Sequence, residues 1–92
     1  SSTSVRFYQT YEGVFILPTP SLPKVYIALN ACINDGGFVE VRLLANGKPL
    51  PGYQKRLPTQ DSVHIPLFEQ LPDGEFQIEL ILQNTQLYSI TF

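Results

Sequence analysis

His64 and Cys32 are the sole histidine and the sole cysteine in a sequence of 92 residues. Nucleophilic catalysis by Ser or Cys needs a base within hydrogen-bond reach of the attacking atom. Val63 and Ile65 flank His64 in the alternation of a strand, which predicts that the imidazole points to water. No His lies near Cys32 in the sequence. We expect His64 to be a solvated strand residue and Cys32, with no second Cys to pair with, to be a small buried hydrophobe. Eight acidic residues could supply the carboxylate pair of a glycosidase. Of these, Glu75 and Glu79 share the outward face of one expected strand, and most of the others fall in turns, where acids serve solubility. One His and one Cys cannot make a zinc site. Asn34 and Asp35 could offer oxygens to calcium, but calcium wants more carboxylates than one Asp, and the Asn34-Asp35-Gly36-Gly37 run reads as a turn. Nor does Gly36-Gly37 have the spacing of a phosphate-binding loop. The expected inventory is no catalytic residue, no metal and no cofactor.

Aromatic side chains are the feature that favours binding. The chain has five Tyr and six Phe and no Trp. Tyr8, Tyr11, Tyr26 and Tyr53 fall near strand ends or opposite the apolar rows. Tyrosine there can stack on a sugar ring or anchor a protein interface, and it can equally be ordinary sandwich packing.

The elements that must hold these residues are strands. Val39, Val41 and Leu43 alternate with Glu40 and Arg42, and Phe76, Ile78 and Leu80 alternate with Gln77 and Glu79. Tyr88, Ile90 and Phe92 alternate with Ser89 and Thr91. No segment carries a helical stripe. Turn residues separate the runs: Asn34 to Gly37, Asn46-Gly47 with the preference of a type I′ hairpin, Leu71-Pro72-Asp73-Gly74, and Gln83-Asn84-Thr85 closing a last hairpin. Strands are expected near 4–8, 13–17, 24–32, 38–44, 53–57, 62–66, 75–82 and 86–92. Pro18, Pro20 and Pro23 bracket a connection that cannot sit in mid-sheet, and Pro49 and Pro51 should keep Lys48–Gly52 extended but unpaired. The pattern predicts an all-β fold, an immunoglobulin-like antiparallel sandwich of two sheets and seven to eight strands, as one domain over residues 1–92.

Composition narrows the partners. Hydrophobic residues make up 43% and charged residues 15% of the chain, against about 25% charged in a typical soluble protein, which argues against disorder. The net charge is −2 and no basic run exceeds Lys55-Arg56, so nucleic-acid binding is not expected. No apolar stretch approaches the roughly 18 residues of a membrane helix. The Ser-Ser-Thr-Ser opening and the absence of Met suggest a trimmed or processed product.

From Val39 to Phe92 the order is an apolar strand, an Asn46-Gly47-Lys48 turn, a variable pair of strands, Leu71-Pro72-Asp73-Gly74-Glu75-Phe76 and a closing strand. This resembles the small secreted immunoglobulin-like proteins of Bacteroides and relatives. It is also similar to the sandwich domains at the C-termini of proteins those bacteria export. The resemblance implies an envelope or extracellular location and brings no catalytic residues. The basic tail of export signals does not follow Phe92, so a sorting role is not expected. Gly47-Lys48-Pro49-Leu50-Pro51-Gly52-Tyr53 with Leu87-Tyr88-Ser89-Ile90-Thr91-Phe92 is similar to the accessory β-sandwich of some bacterial glycoside hydrolases, which carry a much longer insert between these motifs. Both likenesses imply a noncatalytic sandwich from a secreted context. It would bind protein or glycan at a cell surface, as a monomer or as a dimer paired through sheet edges.

Overall fold

The computed structural model describes residues 4–10, 12–18 and 26–91. Among them the fold is all-β and antiparallel. Six strands follow one another: β1 (Ser4–Thr10), β2 (Gly13–Pro18), β3 (Ala28–Ala45), β4 (Lys48–Leu57), β5 (Gln60–Pro66) and β6 (Gln77–Thr91). Strands β3 and β6 are central and pair with each other along most of their lengths. The first part of β3 also pairs with β5, and its second part with β4. The first part of β6 pairs with β2, and its last part with β1.

Of the expected sandwich of two sheets and seven to eight strands, the described residues show the all-β, antiparallel character. All six strands belong to one hydrogen-bonded sheet. Residues 28–32 and 38–44 of the expected runs are parts of one strand, β3, and residues 77–82 and 86–91 are parts of β6. The supposed turns between them are bulges. Between the pairs Ile33↔Thr85 and Phe38↔Gln83, residues 34–37 of β3 stand opposite Asn84 alone. Surplus residues bend a strand without ending its ladder, and Asn84 takes the required left-handed conformation at φ 48°. An 18-residue strand drawn straight would span about 59 Å, yet the longest axis of the molecule is 35 Å. The sheet is therefore doubled over at this bend.

Polar groups hold the bend. Asn84 Nδ2 donates to the Asp35 carbonyl at 3.1 Å and Thr59 Oγ1 to the Asn34 carbonyl at 3.1 Å. Thr85 is fully buried, with its hydroxyl in reach of the carbonyls of Gln83 at 2.9 Å and Phe38 at 3.3 Å. Gly37 sits where a β-carbon would lie 2.5 Å from the Gln83 carbonyl oxygen, so only glycine lets the two strands approach this closely.

Inside the fold the described residues form one apolar cluster drawn from both halves of the sheet. Leu29, Ala31, Ile33, Leu87 and Ile90 come from one half, and Val39, Val41, Leu43, Ile78, Leu80 and Leu82 from the other. The alternation read from residues 38–44 and 76–82 matches this burial: Val39, Val41, Leu43, Ile78 and Leu80 have no exposed surface. Each such side chain contributes about 1.5–3 kcal/mol by leaving water. The Asn46-Gly47 hairpin also forms as expected, with φ 54° and 77° at its two central residues.

Elsewhere period two fails where an extra residue enters the ladder. Asn30 faces both Val63 and His64 of β5, between the pairs Leu29↔Ile65 and Ala31↔Ser62. Val63, expected inside, is consequently 80% exposed. Tyr88 is the surplus residue of β6 between Leu87 and Ser89, so it turns out to water while Leu87 and Ile90 are buried. Phe92 lies outside the described residues.

Candidate functional site

Strand β4 starts at Lys48, earlier than expected, and Lys48 and Pro49 do pair with Ala45 and Leu44. The next ladder pair is Arg42↔Gln54, so Leu43 alone faces the four residues 50–53. This large bulge, placed by the two prolines and by Gly52, pushes Tyr53 to the rim of the core. There its ring meets Phe68 edge to face, with centroids 5.7 Å apart. Gly52, Tyr53, Leu67, Phe68, Glu69 and Gln70 line an open groove of about 490 Å³, a size that ordinary ligand sites share.

The far wall of the groove is held from two sides. Lys55 Nζ donates to the carbonyl oxygens of Leu67 at 3.1 Å and Pro66 at 3.4 Å. The Leu67 amide donates to the Ile27 carbonyl at 3.0 Å, and the Leu67 side chain is buried in the core. Phe68 follows directly on this anchor, and Glu69 and Gln70 stand exposed beyond it. An apolar aromatic floor with a carboxylate and an amide at one lip can hold a ring or an apolar side chain and hydrogen-bond its polar edge.

Of the four tyrosines proposed from sequence, two can be placed. Tyr26 is half-buried with its ring 5.9 Å from His64, and Tyr53 packs on Phe68. The short run from His64 to Phe68 thus touches both. Tyr8 has its backbone in β1 while its side chain lies outside the described residues, as does Tyr11 altogether. The sequence reading missed Phe68. The signal was present, because an aromatic in Pro66-Leu67-Phe68-Glu69-Gln70-Leu71-Pro72 sits in a proline-flanked connection between two expected strands.

The residues weighed for catalysis do not converge. Cys32 is half-buried rather than buried, because it alternates with the inward Ala31 and Ile33, and its Sγ lies 3.7 Å from Asn34 Oδ1. His64 is exposed and its backbone N–H donates to Ser62 Oγ at 3.2 Å. Glu75 precedes β6 instead of sharing its face with Glu79, since that strand opens at Gln77. Glu79 is turned toward Arg42, whose Nε is 3.5 Å away. Among the described residues no group of three or more His, Cys, Asp or Glu gathers in metal-binding proximity.

A second depression, of about 430 Å³, lies along β3 and β4 and is lined by Glu40, Val41, Arg42, Gln54, Lys55 and Arg56. Its arginines are engaged with carboxylates and Lys55 with main-chain carbonyls. Arg56 reaches Glu40 at 2.8 Å and lies 4.0 Å over the Phe38 ring, and Arg42 stands between Glu40 and Glu79. A cation already paired and stacked offers little to a charged ligand, so the groove beside Tyr53 is the better site. No family model, curated protein or solved structure matches this chain.

Proposed function

We propose that this chain is a noncatalytic domain of the immunoglobulin-like sandwich kind that works by association at a bacterial cell surface or envelope. The groove beside Tyr53 and Phe68 is its ligand-contacting surface, and its ligands are protein or glycan. The sandwich reading is supported by the doubled sheet, whose halves share one core. The location is supported by the resemblance of Val39–Phe92 to secreted proteins of Bacteroides. The observation that carries the binding role is the edge-to-face pair of Tyr53 and Phe68 in an open groove with Glu69 and Gln70 at its lip. A second reading uses the same groove. An aromatic floor beside hydrogen-bonding groups also suits a sugar ring, as in an accessory module of a carbohydrate-active enzyme.

A glycan array and pull-downs from envelope extracts test the proposal. Binding should appear in one of them and be lost in Tyr53→Leu and Phe68→Leu, which keep apolar volume but lose the rings. Binding that both variants retain would remove the groove from the reading, and silence in both assays would leave only a structural role. The gene's full reading frame separates the two readings, because a catalytic domain on the same chain favours the accessory module. Hydrolysis abolished by His64→Ala would overturn the noncatalytic reading altogether.

A further inference from the structure

Among the described residues the sheet has four edge strands, and three of them carry features that discourage pairing with another chain. Strand β4 has Lys48, Pro49, Pro51, Lys55 and Arg56. Strand β5 has its bulge at Val63 and His64 and ends on Pro66. Strand β1 has a register shift between Arg6 and Thr10. Prolines, charges and bulges are the usual protections of a sheet edge. Strand β2 lacks them along most of its length. Its sequence, Gly-Val-Phe-Ile-Leu-Pro, contains no charge, and its register with β6 runs without a shift from Gly13 to Pro18. Among the described residues β6 is the strand it pairs with.

The terminal proline sets the phase of the ladder. Pro18 has no N–H, so the phase that costs β6 no bond is the one in which position 18 faces away from it. Uninterrupted alternation then turns the main-chain groups of Val14 and Ile16 away from β6 as well. Their side chains lie on the outer face of the sheet and are 61% and 56% exposed. Val14 stands opposite Ile81 of β6, which widens the apolar strip.

We propose that β2 pairs with β2 of a second copy of this chain, antiparallel about a two-fold axis at Phe15. This arrangement puts Val14 opposite the partner's Ile16 and the partner's Val14 opposite Ile16. Two hydrogen-bonded pairs of this kind make about four N–H···O bonds. Side chains directly opposite one another share a face, so Val14, Ile16 and Ile81 of both copies join into one apolar strip. Electrostatics favour a copy of the same strand as occupant. A two-fold contact sets a surface against itself, which would bring the cations of β4 together, whereas Gly13–Pro18 has no charge to repel its copy. The neighbouring Glu12 accepts a hydrogen bond from Gln83 Nε2 at 3.3 Å. In this register the two Glu12 positions stand about 20 Å apart along the strands. The two half-sheets then form one continuous sheet across the dimer.

Sedimentation of the whole chain over the micromolar to millimolar range tests the proposal. The expected species is a dimer of the 10.4 kDa chain. Ile16→Lys and Val14→Lys should each abolish it, because either places an ammonium group against the partner's apolar strip. Both sites are more than half exposed, so circular dichroism should show the fold retained. Val63→Lys, at an 80% exposed position on β5, should leave the dimer intact. Amide exchange at Val14 and Ile16 should be slow in the dimer and accelerate on dilution. A monomer throughout the range would overturn the proposal. So would a dimer that persists in both lysine variants, or exchange at Val14 and Ile16 that does not change with concentration.

Discussion

Replacing Gly37 with alanine tests whether the bend in β3 is set by close packing of the main chain. An alanine β-carbon would lie 2.5 Å from the carbonyl oxygen of Gln83, 2.7 Å from that of Asn84 and 3.1 Å from that of Asn34. A carbon and an oxygen rest at about 3.3 Å or more, so β6 must retreat by about 0.6–0.8 Å. The obstructing atoms are all backbone, and no rotamer change can clear them. A retreat of that size stretches the contact from the buried Thr85 hydroxyl to the Phe38 carbonyl, now 3.3 Å, beyond hydrogen-bond length. Overpacking of this kind costs about 1–3 kcal/mol, and the strained hydrogen bond adds about 1 kcal/mol. The expected loss is therefore about 2–4 kcal/mol, a large part of the roughly 5–15 kcal/mol that stabilises a typical domain. Gly36 is the control. Its φ is +78° and nothing lies within 4 Å of its would-be β-carbon, so Gly36→Ala should cost only the left-handed penalty of about 1–2 kcal/mol. Urea unfolding followed by circular dichroism measures both, read as shifts in midpoint at constant slope. If Gly37→Ala proves no more harmful than Gly36→Ala, the close approach of the two strands does not govern the bend.

Four further substitutions examine the core, the bend and the outer face. Ile78→Ala empties a fully buried position of β6 and should lower stability by about 2–5 kcal/mol in the same unfolding assay. Thr85→Val keeps the volume of a buried side chain and removes its hydroxyl contacts to the main chain, for an expected loss of about 1 kcal/mol. Arg42→Ala should cost about 1–3 kcal/mol by taking away the cation 3.5 Å from Glu79 Oε1, a buried carboxylate oxygen that no hydrogen bond satisfies. Arg56→Ala removes a side chain that is 62% exposed and should cost no more than about 1 kcal/mol; the reverse order in denaturation midpoints would contradict the assigned burial.

Strand identity was readable because burial on one face imposes a period of two, and Val39-Glu40-Val41-Arg42-Leu43 obeys it without exception. The Asn46-Gly47 turn was readable for a local reason as well, since few residue pairs accept positive φ twice in succession. The candidate site was half readable. Tyr53 stood out by type, but its partner Phe68 is fifteen positions away in sequence and meets it only because the bulge of β4 and the Lys55 clamp bring the two segments together.

Local chemistry alone thus determined that the chain would be extended, where its tightest turn would form and which side chains of the regular strands would leave water. Tertiary structure decided whether Asn34–Gly37 and Gln83–Thr85 would end a strand or bend one. Either outcome is open to glycine and asparagine in isolation. The choice depends on the facing strand, because a continuous ladder across the bend satisfies backbone groups that a loop would leave to water, and that gain exists only once β3 and β6 lie side by side.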